Sequence, residues 1–420
     1  MLIEFSVKNF RSIRERQTLS LVRGTGQELV DSNSFKSNTV NDIELLRSAA
    51  IYGPNAGGKS NFLLAVRAMK EIVVKSARTQ RGDSLPVVPY RLNSETAQAP
   101  TEFEIVFIVD GVRYQYGFSA KEDRVYDEWL FAFPSGRPQR WFERFWVVDD
   151  QEYDWSFGSF LVGSKKTWMR STRDNALFLS TAVQLNSQQL IPIYDWFRYV
   201  LRTGQVGGWG AEFTGSQCEG DQKERILQFL QAADLGISDV KVESRPFDSS
   251  LLPKELSEAF KEEVIEKISA ADYKEYKVLR STDSGDLLEF DLRDDESDGT
   301  ETIFGFAGPW LDCLDNGYVL FVDELHNSLH PKLVKFLVSL FHDSSVNKNN
   351  AQLIFTTHET SILSQDVFRR DQIWFCSKEG GRETYLYPLS DFSPRKGREN
   401  LELTYLSGKY GAVPFVQGLK

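Results

Sequence analysis

Eight residues near the front of the chain are spaced to hold phosphate. Gly53-Pro54-Asn55-Ala56-Gly57-Gly58-Lys59-Ser60 fits G-x-x-x-x-G-K-[ST] at every fixed position. The glycines let backbone N–H groups turn inward, and a helix starting there adds its N-terminal dipole. In that reading Lys59 reaches the β- and γ-phosphates of a nucleotide, Ser60 ligates Mg²⁺, and Asn61 follows as a further contact. A second set of groups lies near the back. Tyr318-Val319-Leu320-Phe321-Val322 is a continuous apolar run ending in Asp323 and Glu324. Such a run predicts a central parallel strand buried on both faces, whose end is where an α/β sheet places its ligand. There Asp323 can hold Mg²⁺ through water, and Glu324 can orient and deprotonate an attacking water. Leu353 to Thr357 predicts the next strand, and His358 at its end is placed for a γ-phosphate contact rather than for a satisfied core histidine.

The elements that must position these groups are readable around them. Ala49-Ala50-Ile51-Tyr52 predicts the strand before the phosphate loop, and the stretch from about Lys59 to Arg78 predicts the helix after it. Leu2 to Val7 alternates as an antiparallel strand does, and Gly24 to Asn41 predicts a loop. Phe103–Val109 and Val112–Phe118 flank Asp110-Gly111, which predicts a hairpin with a type I′ turn. Further strands are expected over 125–133 and 140–148. Residues 176–201 predict a helix kinked at Pro192. The stretch from Gly204 to Gly220 is glycine-rich and predicts a mobile loop. Glu224–Ala233 and Lys254–Ala270 predict amphipathic helices, without the sustained heptads a long coiled coil needs.

The order of motifs resembles the ABC-type ATPases of the RecF and SMC branch. Ile3-Glu4-Phe5-Ser6-Val7-Lys8-Asn9-Phe10-Arg11-Ser12 is similar to the strand-turn that opens RecF-like proteins, which puts Arg11 among the nucleotide contacts the resemblance implies. It also implies a D-loop at Ser328-Leu329-His330-Pro331, a switch histidine at His358 and, at Gln184, a Q-loop glutamine that ligates Mg²⁺; a plain surface glutamine fits Gln184 equally. Over most of its length, least between Gln205 and Asp283, the chain resembles RloA-like ATP-binding proteins, the stand-alone ATPases of bacterial anti-phage operons. The shared phrases are MLIEFSVKNFRSI, PTEFEIVF, DNALFLSTAVQLN and AGPWLDCLDNGYVLFVDELHNSLHP. The implied fold is α/β: an ABC-type ATPase core of mixed sheet and flanking helices, with an antiparallel β lobe and an inserted, mainly helical lid. Residues 1–175 would form the front of the core, 176–285 the lid and 286–420 the back.

Glu296-Ser297-Asp298-Gly299-Thr300 precedes an apolar stretch ending near Leu314, where this branch carries its Ser-x-Gly signature. In that family Ser297 and Gly299 would meet the γ-phosphate held by a second subunit, so two nucleotides would be sandwiched in a homodimer or larger homo-oligomer. The signature departs from the pattern: Glu301 stands where a glutamine or basic residue is usual. Asp294, Asp295, Glu296 and Asp298 crowd it with charge that costs about 1 kcal/mol per close pair with a triphosphate. The departure points to slow hydrolysis, a switch rather than a motor. An ordinary N-cap before a helix fits the same residues.

Composition narrows the rest. The 420 residues suffice for two or three lobes. Three cysteines, Cys218, Cys313 and Cys376, make neither a disulfide framework nor a cysteine zinc site. His326 and His330, four apart, are read as D-loop neighbours rather than a zinc pair. No apolar run reaches membrane-spanning length and no signal peptide opens the chain, so a cytoplasmic protein without a membrane partner is expected. A net charge of −11 argues against binding nucleic acid over the whole surface. A local groove stays open at Arg137, Arg140, Arg144, Lys165, Lys166, Arg170 and Arg173, interleaved with Trp141, Trp146 and Trp168, although the acids among them favour a solvated sheet face. The expected function is an ATP- and Mg²⁺-dependent ATPase that switches or scaffolds a separate effector, a nuclease encoded beside it, against phage and in answer to a phage-derived trigger. The alternatives are a RecF-like DNA-binding ATPase of repair or recombination and an ATP-assembled scaffold with negligible hydrolysis.

Overall fold

The computed structural model describes residues 1–204, 209–245, 273–380, 382–394 and 399–414. By compactness the chain divides into two units. One comprises Met1–Val206, Cys313–His326 and Val334–Lys420; the other comprises Gly207–Asp312 and Asn327–Leu333.

The first unit is built on a six-stranded sheet, in the order Leu201–Thr203, Val319–Val322, Gln352–Thr356, Ser48–Tyr52, Ile373–Glu379 and Glu383–Pro388. The first five strands run parallel and the last turns back antiparallel. Ser48–Tyr52, Val319–Val322 and Gln352–Thr356 are buried along their whole length, which is why their sequences read as unbroken apolar runs. Parallel pairing sends their C-terminal ends to one edge of the sheet. The phosphate loop, Asp323 and His358 follow those ends.

A second sheet of seven antiparallel strands carries Leu2–Lys8 between Gln17–Ser20 and Thr101–Val109 and continues through hairpins to Glu152–Phe157. Thr101–Val109 largely alternates buried and half-buried positions, so one face packs and the other is partly wet. Asp110 and Gly111 both have positive φ, 49° and 75°, between the paired Val109 and Val112, as a type I′ turn demands. Helix Lys59–Lys75 buries Phe62, Ala65, Val66, Met69, Ile72 and Val73, an i, i+3, i+4 stripe. Phe62 meets Phe5 edge-on at 5.4 Å.

Polar groups stitch this core. Gln352, fully buried, accepts from Leu2 N–H (2.6 Å) and donates to the carbonyls of Leu2 (3.0 Å) and Leu46 (3.1 Å). Glu128 and Arg144, both fully buried, pair at 2.9 Å. Glu128 also accepts from Phe178 N–H, Leu179 N–H and the Tyr116 hydroxyl. It thereby satisfies the first donors of helix Phe178–Gln184, which otherwise lack partners.

The helix expected over 176–201 is interrupted. It stops at Gln184, where Asn186 takes a left-handed φ of 62°, a conformation that asparagine tolerates at a helix end. A second helix, Ile191–Asp195, passes into a π-helical turn at Trp196–Val200 and then into strand Leu201–Thr203. Pro192 lies in the first turn of that second helix, where its missing N–H costs nothing.

The 176–285 segment read as a helical lid is not wholly helical or separate: its strand Leu201–Thr203 belongs to the six-stranded sheet, and beyond it the described residues hold helices Ala211–Cys218 and Lys223–Ala232 and two strands of a three-stranded antiparallel sheet that the segment after it completes. The strands are Asp239–Arg245, Tyr273–Ser281 and Leu287–Asp291. The expected helix at Lys254–Ala270 lies outside the described residues. Helix Asp298–Asn316 contains Pro309, which cannot donate to the carbonyl of Gly305. The Thr214 hydroxyl takes that place, donating to Gly305 O (3.4 Å) and accepting from Gly308 N–H (3.0 Å).

Breaking the buried ion pair tests this core. Arg144→Met should cost about 3–5 kcal/mol, read as a lower melting temperature, because Glu128 is left buried without its cationic partner. Adding Glu128→Gln should recover part of the loss, since it removes the unpaired carboxylate while its one amide oxygen still accepts from one of the two helix N–H groups.

Candidate functional site

The phosphate loop is pinned from behind by the C-terminal hairpin of the sheet. Gly58 has φ 110°, and a Cβ there would lie 2.0 Å from Thr384 Oγ1; at Gly57 it would lie 2.9 Å from Cys376 O. Both positions therefore exclude a side chain. The Thr384 hydroxyl donates to Gly57 O (3.1 Å) and lies 2.8 Å from Ser12 Oγ, which accepts from Asn61 Nδ2 (2.7 Å). Thr384 N–H donates to Ser12 O at 2.8 Å. Asn61 is thus tied to the opening strand-turn. In that turn Asn9 is buried and donates to the carbonyls of Thr96, Ala99 and Pro100. Arg11 is exposed, with φ 51° and its guanidinium 5.7 Å from the Phe10 ring.

Lys59 is buried, and its ammonium donates to Gly53 O (2.8 Å) and Pro54 O (3.1 Å) and to His358 Nε2 (2.9 Å). Because an ammonium only donates, Nε2 accepts and His358 carries its proton on Nδ1. Burial, helped by the Lys59 charge and by His326, holds the His358 pKa down to about 4, against an opposing pull from Asp323. Burial likewise lowers Lys59, with Cys376, Glu324 and Asp323 acting against it. His326 stands beside His358, ring centroids 5.4 Å apart.

Asp323 is buried and accepts from the Thr356 hydroxyl at 2.6 Å. Glu324 has a left-handed φ of 54°, and its N–H donates to Thr356 Oγ1 at 2.8 Å. Ser60 and Asp323 line one cleft with Arg67, Thr203 and Gly204. A hydroxyl and a carboxylate are hard oxygen donors suited to Mg²⁺, which takes few protein ligands when phosphates supply others. Among the described residues no group of three or more His, Cys, Asp or Glu is arranged to hold a metal ion. Gln184 is exposed at the end of its helix. The residue after Gly204 in the sequence is Gln205, outside the described residues.

Ser297, Gly299 and the Ser328–Pro331 segment belong to the second unit. Ser297 caps helix Asp298–Asn316, its Oγ accepting from Thr300 N–H at 3.3 Å. A Cβ on Gly299 would lie 3.0 Å from Ser328 O, so the Ser-x-Gly turn rests on the expected D-loop. The acidic crowd is partly neutralised, since Arg280 grips Glu296 through Nε and Nη2, both at 2.8 Å. His330 accepts from Lys332 N–H through Nδ1 at the start of helix Pro331–His342.

Much of the basic and aromatic stretch is engaged internally. Arg144 is in the buried pair, and Arg173 donates to the carbonyls of Ser76, Ala77 and Thr79 just past the end of the Lys59–Lys75 helix. Trp141 and Trp168 are buried, and Arg140 pairs with Glu143.

Residues 48–364 match a family model described as "AAA domain, putative AbiEii toxin, Type IV TA system". The chain belongs to this AAA-domain family. The match runs from the P-loop strand past His358 and so spans the P-loop, Asp323, Glu324 and His358. No curated protein matches the sequence. Among solved structures this AAA-domain protein is similar to the SMC head domain from Thermotoga maritima, at 13% identity and TM-score 0.39, covering 92% of this chain and 98% of that one. It is also similar to an SmcHead bound to the C-winged helix domain of ScpA, at 12% identity and TM-score 0.39, covering 92% and 97%. The fold is α/β, with mixed sheet and flanking helices. No described helix is long and apolar enough to cross a membrane.

Sequence reasoning missed Thr356, Thr384, Ser12 and the Thr203–Gly204 end of the strand beside Asp323. Thr356 and Thr384 lie in strands, where threonine is ordinary. Their roles depend on neighbours far away in the chain.

The His358 environment predicts a titration. Its imidazole NMR signal should move with a midpoint near pH 4, and Lys59→Ala should raise that midpoint. Because the folded pKa lies below the unfolded 6.5, the stability His358 contributes is present above pH 6.5 and lost as pH falls through about 4.

Proposed function

We propose that this protein binds ATP with Mg²⁺ and hydrolyses it as a dimerising ABC-type switch. The observation that carries the reading is the convergence, on neighbouring parallel strand ends, of a P-loop, the Asp323-Glu324 pair and His358, with Lys59 and His358 in direct contact at 2.9 Å. Gly53 to Ser60 would cradle the phosphates, with Asn61 and Arg11 nearby. Ser60 and Asp323 would hold Mg²⁺, which offsets phosphate charge. Glu324 would take the proton of the attacking water as its oxygen bonds to the γ-phosphorus and the bond to the ADP oxygen breaks. The Lys59 ammonium would neutralise charge on the γ-phosphoryl oxygens, and the neutral His358 would hydrogen-bond there. The glutamine that ligates Mg²⁺ would be Gln184.

Ser297 and Gly299, with their N–H groups at a helix start, would complete the site of a second copy. The effector would be a separate nuclease acting against phage in the cytoplasm, with a phage-derived trigger. The resemblance to RloA-like proteins supports that role. The family description, which names a toxin of a type IV toxin–antitoxin system, supports a second reading, growth arrest held off by an antitoxin. Expression with and without the native neighbouring genes separates the two. Defence needs the effector for phage resistance, whereas a toxin slows growth when expressed alone. The internal engagement of Arg144, Arg173, Trp141 and Trp168 weighs against a RecF-like nucleic-acid groove.

Glu324→Gln should keep ATP affinity and lose about 10²–10⁴-fold in hydrolysis rate, whereas Lys59→Ala should lose binding in a nucleotide titration. An unchanged turnover in Glu324→Gln would remove Glu324 from the mechanism. Mixing Lys59→Ala with Ser297→Arg protein should restore part of the ATPase activity that each lacks alone, because a mixed dimer holds one intact composite site. If Glu324→Gln with ATP and Mg²⁺ forms no dimer by light scattering, the sandwich is wrong.

A further inference from the structure

The pairing of Val319–Val322 with Gln352–Thr356 ends at Val322 and Phe355. One residue further on, the two chains are joined by a side chain. Thr356 Oγ1 lies 2.6 Å from Asp323 Oδ1 and 2.8 Å from Glu324 N. A backbone N–H can only donate and a carboxylate only accept, so the hydroxyl proton goes to Asp323 and an oxygen lone pair takes the Glu324 N–H. The Thr356 carbonyl accepts from Leu325 N–H at 3.1 Å. Three consecutive residues, Asp323, Glu324 and Leu325, are therefore anchored to one threonine. Between them the chain turns through the left-handed φ of Glu324, which a glutamate adopts at a cost unless neighbours hold it. Thr356 is itself buried and pairs in register with Ile51 of the P-loop strand, so the anchor is rigid.

We propose that Thr356 is a positioning residue for ATP hydrolysis: its hydroxyl locks the Asp323 carboxylate and the Glu324 backbone into one hydrogen-bonded unit, fixing the metal-binding group and the water-activating group relative to each other. The proposal rests on the hydrolytic roles given above to Asp323 and Glu324. With the hydroxyl gone, Asp323 loses the donor that orients its Oδ1, and Glu324 loses the acceptor that holds its turn. The P-loop contacts of Lys59 do not pass through Thr356. The effect should thus fall on metal affinity and turnover and spare nucleotide affinity.

The test uses Thr356→Ala, Thr356→Val and Thr356→Ser in the full chain, with Glu324→Gln measured beside them. Ala and Val should lower kcat about 10–100-fold and weaken Mn²⁺ binding, followed by electron paramagnetic resonance with a non-hydrolysable ATP analogue, by about tenfold. KM for ATP should stay within about twofold. Ser should stay within about threefold of wild type in both readouts, because it keeps the oxygen. If Ser falls as far as Ala, the threonine matters through its methyl group and the proposal fails. It fails equally if Ala matches wild type in kcat and Mn²⁺ affinity. Should Val not fold, Ala and Ser still differ by one oxygen and carry the comparison. A wild-type rate in Glu324→Gln would sink the hydrolytic reading, and the Mn²⁺ arm would still report whether Thr356 orients Asp323.

Discussion

The insertion of Ser48–Tyr52 between two strands from the far end of the chain is the constraint on which the rest depends. Parallel pairing on both sides fixes its direction and depth, and the phosphate loop inherits that placement with no freedom of its own. Everything that touches the loop follows. Asp323 and His358 arrive at the same sheet edge because their strands are register-locked neighbours. The glycines at 57 and 58 are required because the hairpin running back through Thr384 closes behind the loop.

Within that frame the polar groups at the site hold one another. Lys59 draws its partners from the loop's own carbonyls and from His358, while Thr356 serves Asp323 and Glu324 together. Such networks gain strength in a low-dielectric setting and lose it steeply when one member is removed. The buried Glu128–Arg144 pair follows the same logic away from the site. It is tolerated because Glu128 also satisfies the N-terminal donors of a helix, so its desolvation is offset by bonds that no apolar residue could make.

What could be read from the sequence was what is local. The phosphate loop is a contiguous string, the Asp110-Gly111 hairpin is announced by its turn, and Asp323-Glu324 terminates an unmistakable apolar run. The three-stranded sheet of the second unit has a local signal too: Val240 and Val242 alternate with Lys241 and Glu243, whose charges pair with Lys277 and Glu289 across the strands. The strand Leu201–Thr203 is too short to carry a period, and it follows helical turns directly. The single helix expected over 176–201 failed at Asn186 because one left-handed residue ends a helix whatever the apolar spacing beyond it. Thr356, Ser12 and Thr384 were illegible for a different reason. Each acts on a partner that only tertiary structure brings near.

The clamp behind the phosphate loop also bears on how the protein is made. Ser12, Asn61 and Gly57 leave the ribosome long before Thr384, which closes on Gly57, and Cys376, whose carbonyl backs both Gly53 and Gly57. A nascent chain that ends before Val319 has the whole phosphate-loop sequence but neither the neighbouring strands nor the hairpin that shape it. The shaped loop is thereby deferred until the Thr384 hairpin has been made. Closing contacts so distant in sequence is also a slow step, so during translation the half-made sheet presents unpaired strand edges for which chaperones would compete.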